Sequence, residues 1–74
     1  MVKTVQGITR DAFESMVNEF DSPSEVQAKT WGFKVGRSVV RVSICGWSRK
    51  VVVGNSKKKN AMGYLRKLKT ASFR

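Results

Sequence analysis

The chain has no histidine, one cysteine, one proline and only five acidic residues. Lack of histidine removes the usual general base, and with it the Ser/His and Cys/His catalytic arrangements. Cys45 alone closes no intramolecular disulfide, and without histidine it cannot supply the roughly four N or S ligands of a zinc site. No apolar stretch approaches the roughly 20 residues of a membrane-spanning helix, and the N-terminus lacks the apolar core of a secretion signal. Together these absences lead us to expect a cytoplasmic protein that is not an enzyme and holds no metal or cofactor.

The scarce acids are also badly distributed. All five (Asp11, Glu14, Glu19, Asp21 and Glu25) fall between positions 11 and 25, whereas 13 of the 15 basic residues lie beyond them. Residues 1–25 therefore carry a net charge of −3 and residues 26–74 a net charge of +13. A chain so divided is expected to meet a polyanion through its second two-thirds. It is not a disordered basic tail, because 41% of its residues are hydrophobic. Its 74 residues allow a single domain, with a core over about 8–70 and short flexible ends. At that size roughly 60% of the unfolded surface is buried, so the core must be thin.

Periodicity orders the elements. Ala12, Phe13, Met16, Val17 and Phe20 recur at three- and four-residue spacing, the apolar face of a helix over about Arg10–Asp21. Thr9 fits its N-cap, Asp11 suits the first turn, and Asp21-Ser22-Pro23-Ser24 ends it. From Glu25 the period becomes two. Val26, Ala28 and Thr30 alternate with Gln27, Lys29 and Trp31 in a half-buried strand, followed by a loop from Gly32 to Ser38. Val40, Val42 and Ile44 alternate with Arg41 and Ser43 in a second strand. Cys45-Gly46-Trp47-Ser48 reads as a hairpin turn, and Arg49–Val53 as a third strand closed by Gly54-Asn55. A last helix is expected from Ser56 to about Ala71, with Ala61, Leu65 and Leu68 inward and Gly63 a costly interior residue. The fold class is thus α+β in the order α-β-β-β-α, a three-stranded antiparallel sheet with two helices packed on one face.

The start of that second helix is the most informative feature. Lys57, Lys58 and Lys59 would occupy its first turn, where the helix dipole repels cations by about 0.3–1 kcal/mol each. Such a cluster becomes sensible if a phosphate sits there, held by free backbone N–H groups and ammonium groups together. The plainer alternative is a solvated lysine run.

Gly54-Asn55-Ser56-Lys57-Lys58-Lys59-Asn60-Ala61 resembles the G-x-S-K-K-x-A-K signature that opens the second helix of double-stranded RNA-binding domains. Val40-Arg41-Val42-Ser43-Ile44-Cys45-Gly46 is similar to the family's second strand and turn, and Gly32 and Pro23 fall at family positions. The segment Gly32–Arg37 lacks the proline and histidine of the family's first inter-strand loop, so Lys34 and Arg37 would take over its role. The resemblance implies recognition of duplex shape. Lys57, Lys58 and Lys59 would grip phosphates across the major groove, and Lys34 and Arg37 would enter one minor groove. Glu14 and Asn18 would accept hydrogen bonds from 2′-hydroxyls in the other. An ordinary solvated helix face is the alternative for Glu14 and Asn18.

Other residues invite mostly structural readings. Trp31 and Trp47 could stack on bases, though one is expected to close the core and the other to cap a hairpin. Val51-Val52-Val53 could form an exposed sheet edge but suits an ordinary strand. Asp11, Glu14 and Asn18 make a poor Mg²⁺ site because one helix carries them all. The expected function is therefore non-enzymatic, largely sequence-independent binding of double-stranded RNA, which would sequester, shield or bridge it. The alternatives are a small viral or phage-type protein binding double-stranded DNA, and a basic interaction factor that docks on an acidic protein. A homodimer is left open. Membrane attachment is disfavoured because the apolar stripe of the last helix is narrow.

Overall fold

The computed structural model describes residues 3–22 and 28–74. Pro23, Glu25, Val26 and Gln27 therefore lie outside the described residues, with the turn and strand start expected there. Eight elements follow in order: β1 (Thr4–Gln6), α1 (Arg10–Asp21), β2 (Ala28–Val35), β3 (Ser38–Cys45), β4 (Ser48–Val53), β5 (Ser56–Lys57), α2 (Ala61–Leu68) and β6 (Ser72–Phe73). The expected α+β class with two helices and a multi-stranded sheet holds, although the sheet is mixed, with one parallel pair, rather than wholly antiparallel. The sheet, however, has six strands in the order β5-β4-β3-β2-β1-β6, not three, and this order differs from that of a double-stranded RNA-binding domain.

The three expected strands form the middle of this sheet, as an antiparallel meander. Each hairpin turns on two residues, Gly36-Arg37, Gly46-Trp47 and Gly54-Asn55, and the glycine comes first with φ near +60° in all three. Two-residue loops with positive φ at the first position match the twist of the flanking strands, and glycine adopts that φ without a Cβ clash. The expected loop from Gly32 therefore shrinks to Gly36-Arg37. Gly32 itself lies within β2, opposite Arg41. Because β5 pairs with β4, Val51–Val53 is not a sheet edge.

The extra strands come from the chain ends. β1 runs antiparallel to β2, and β6 returns parallel to β1 through the registers Thr4–Ser72 and Val5–Phe73. Val5 is fully buried, and Phe13 packs against both Phe33 and Phe73, with ring centres 5.9 and 5.1 Å apart. The core thus takes in Val5 and Ala71, with Phe73 packed against it, and reaches beyond the expected span of about 8–70. Arg10 fastens this arrangement. Its guanidinium donates to the carbonyls of Lys69 and Ala71, each at 2.9 Å, and lies over the Phe73 ring.

The core lies between the helices and one face of the sheet. Phe13, Met16, Val17 and Phe20 of α1 and Leu65 and Leu68 of α2 meet Phe33, Val35, Val40, Val42, Ile44 and Val51 from the strands. α1 spans the expected residues, and Thr9 Oγ1 accepts from the Ala12 amide as its N-cap. Ala12 itself is exposed. The phase of β2 is the reverse of that expected. Trp31 packs against the core, while Ala28 and Thr30 are exposed on the other face. Lys29 points to the helix side and pairs with Glu19 of α1. Arg49 ties the β3–β4 hairpin to the end of α1, donating to the carbonyls of Phe20, Gly46 and Ser48.

Candidate nucleic-acid interface

The same alternation that buries one face of the meander decides what the other presents. On β3 the inward residues are Val40, Val42 and Ile44, and the intervening positions are Val39, Arg41, Ser43 and Cys45. Paired residues on neighbouring strands share a face, so the register aligns the outward side chains in rows. One row runs Gly32, Arg41, Val52, Lys57, and the next runs Thr30, Ser43, Lys50. Lys34 stands opposite Val39 at the end of the sheet where Arg37 occupies the turn. At roughly 4.8 Å between strands, Arg41 and Lys57 have backbones about 10 Å apart, with Lys50 one row away between them. Gly32 leaves the ground beside Arg41 open, since nothing lies within 4 Å of where its Cβ would be.

The result is a shallow depression of about 820 Å³ on the uncovered face, lined by Arg37, Arg41 and Lys50 with Thr30, Ser43 and Asn55. Lys34 and Lys57 extend it toward β1 and over β5. No acidic residue lines it. Among the described residues these five cations have no ion-pair partner, and the one salt bridge, Lys29–Glu19, is on the helix side. The four described acids are all on α1, in the layer behind the sheet. Five unneutralised cations on one face, with hydroxyl and amide groups between them, are arranged to receive several phosphates at once. Aromatic platforms are missing from the face: Trp31 points inward, and Trp47, 69% exposed, sits on the hairpin tip.

The lysine block departs from expectation. α2 begins at Ala61, not Ser56, with Asn60 as N-cap accepting from the Gly63 amide at 3.1 Å. Ser56-Lys57 instead form β5, and the Lys58 amide donates to the Val51 carbonyl. This resolves the electrostatic puzzle. The lysines precede the helix, so the dipole penalty in its first turn does not arise. It also separates them: Lys57 is paired with Val52 on the open face, Lys58 lies beside the Tyr64 ring of α2, and Lys59 is exposed between the two. Gly63 also has a role. A Cβ there would stand 2.6 Å from Asn60 Nδ2, so a larger residue would have to displace the capping side chain.

Of the expected site residues, Lys34, Arg37 and Lys57 share the open face. Lys58 and Lys59 do not join them, and Glu14 and Asn18 are exposed on α1, behind the sheet. The structure thus does not gather the seven on one surface. Arg41 and Lys50 join Lys34, Arg37 and Lys57 on the open face, and the sequence carries their signal: the solvent phase of each alternating strand is cationic wherever it is charged. Among the described residues no three His, Cys, Asp or Glu side chains cluster to hold a metal, and no helix is long and apolar enough to cross a membrane. No family model, curated protein or solved structure matches the chain.

Proposed function

We propose that this protein is a non-enzymatic binder of double-stranded nucleic acid, gripping phosphates through the open face of its sheet with little regard to base sequence. The observation that supports this reading is the cationic face itself: Lys34, Arg37, Arg41, Lys50 and Lys57 together, with every described acid in the opposite layer. Side chains of this kind fix position on a duplex without reporting its sequence. The long dimension of 36 Å corresponds to about ten base pairs at roughly 3.4 Å each. Without aromatic platforms the face suits a duplex better than an unstacked single strand.

Between the duplexes, the geometry favours DNA. RNA discrimination depends on reading 2′-hydroxyls, and the two groups expected to do so, Glu14 and Asn18, are on the other side of the molecule. The deep, narrow major groove of A-form RNA is closed to a sheet, whereas β-structures enter the grooves of DNA. Double-stranded RNA is the second reading. It is favoured by the run Gly54–Ala61, whose order of residues resembles the RNA-binding signature although only Ser56 and Lys57 are in a strand.

Titration of duplex DNA, duplex RNA and single strands of about 20 nucleotides, at several salt concentrations, separates these readings. Five phosphate contacts give a log–log salt slope of about −4.5, or roughly 500-fold weaker binding between about 50 and 200 mM salt. We expect duplex DNA to bind at least as well as duplex RNA. A marked RNA preference that survives loss of Arg41 and Lys50 would establish the second reading instead. No binding of any nucleic acid at about 100 mM salt would point to an acidic protein partner.

A further inference from the structure

A second cationic cluster lies around the end of the sheet, on its helix side. Lys58, just past β5, holds its Nζ 5.3 Å from the centre of the Tyr64 ring. Lys3, just ahead of β1, holds its own 5.9 Å from the same ring. Both line a cavity of about 470 Å³ that has Val35 and Val53 in its wall and the hydroxyl-bearing Thr4 and Ser38 at its side. No acidic residue lines it, so two like charges meet at one aromatic ring with nothing to neutralise them. Burial raises the pKa of Tyr64, which keeps its hydroxyl protonated and able to donate. Thus chain segments from opposite ends of the sequence deliver cations and hydroxyl donors, but no acceptor carboxylate, to one concave place.

We propose that this cavity takes a phosphate monoester, the group at the end of a nucleic-acid strand lying on the open face. A monoester carries about −1.5 to −2 at pH 7, which two ammonium groups match. An internal phosphodiester carries one charge and would leave an ammonium uncompensated. Ser38 lines both this cavity and the depression on the open face, so a strand leaving the sheet past the Gly36-Arg37 turn arrives here. The strand-end assignment rests on the sheet-face reading. A free mononucleotide offers the same chemistry, and the two sources are separable.

The test uses the whole chain and two probes. The first is a pair of duplexes identical except for a 5′-phosphate or a 5′-hydroxyl. The phosphate-ended duplex is expected to bind about tenfold tighter through charge-assisted hydrogen bonds. That advantage should vanish in the Lys3→Ala/Lys58→Ala variant and shrink in Tyr64→Phe, which retains the ring. Hydroxyl-ended binding should change less than about twofold in Tyr64→Phe, which alters no charge. The second probe is a nucleoside 5′-monophosphate, followed by the NMR signals of the Tyr64 ring and the Lys58 side chain. Shifts of both, absent with the unphosphorylated nucleoside, are expected. If neither duplex binds but the mononucleotide shifts these signals, the cavity stands as a phosphate site and the sheet-face reading fails. Shifts with no preference for phosphate-ended duplex overturn the strand-end assignment. Equal binding of both duplexes without shifts, or an end preference that survives loss of both lysines, overturns the proposal entirely.

Discussion

The two faces of one sheet show how a single alternating pattern meets two demands. Along β3, Val40, Val42 and Ile44 point into a core whose buried residues, among those described, are all hydrophobic, while Val39, Arg41 and Ser43 face the other way. The inward set belongs to one buried cluster with residues of both helices and of β1. The outward set touches no second layer, and its cations have no ion-pair partner among the described residues. Packing therefore demands the first set. The second is free of the fold, and its uniform charge costs some self-repulsion without structural return. A comparison of substitutions on the two faces should separate stability from binding.

The largest effect is expected inside. Phe13→Ala removes a fully buried ring that contacts Phe33 and Phe73, and should cost about 3–5 kcal/mol in chemical denaturation, enough to unfold a domain this small. Arg41→Ala with Lys50→Ala should do the reverse. Stability should stay within about 0.5 kcal/mol per site, while duplex binding falls roughly 50-fold near 0.1 M salt and the salt slope loses about 1.8. If these two substitutions unfold the protein, the faces are not independent and the comparison fails.

Two smaller effects probe how the ends and the short helix are held. Arg10→Met removes two hydrogen bonds to carbonyls beyond α2. A loss of about 1–2 kcal/mol is expected, with faster hydrogen exchange at the Ser72 and Arg74 amides, which donate to the carbonyls of Lys3 and Val5. Gly63→Ala would ordinarily stabilise a helix by about 1 kcal/mol. Here its Cβ would collide with the Asn60 cap, so we expect a net loss; in an Asn60→Ala background the same change should stabilise. Additivity of the two would show that the cap does not require glycine.

The smallest effect is in alkali. Burial holds the Tyr64 hydroxyl above its ordinary pKa of 10.0. The folded state then keeps a proton that the unfolded chain releases, so stability is full below that pH and declines as pH rises through and above it. Tyr64→Phe should remove this part of the alkaline decline.

Much of this architecture was legible in the residues. The three- and four-residue spacing of α1, with Thr9 before it, marked both its extent and its cap. The alternation in β3 and the glycine-first turns marked the meander. What escaped was short or ambiguous. β1, β5 and β6 span two or three residues each, too few to show a period, and they exist because the core recruits Val5 and Phe73. In β2 both phases carry polar and apolar groups, and the bulk of Trp31 and Phe33 decides which side is inward. The lysine block misled because Ser56 suits a helix start in isolation, whereas Gly54-Asn55 turns the chain back along β4 and postpones the helix to Asn60. Three cations of the open face, Lys34, Arg37 and Lys57, could be named from sequence. Arg41 and Lys50 emerged only when strand register placed them beside Lys57.

The most direct test is to follow backbone amide shifts while a duplex DNA of about ten base pairs is added to the isotope-labelled protein. The account predicts that perturbations centre on Thr30, Lys34, Arg37, Arg41, Ser43, Lys50 and Lys57, with Glu14 and Asn18 of α1 unmoved. Perturbations concentrated on α1 and the exposed side of α2, with a silent sheet face, would contradict it.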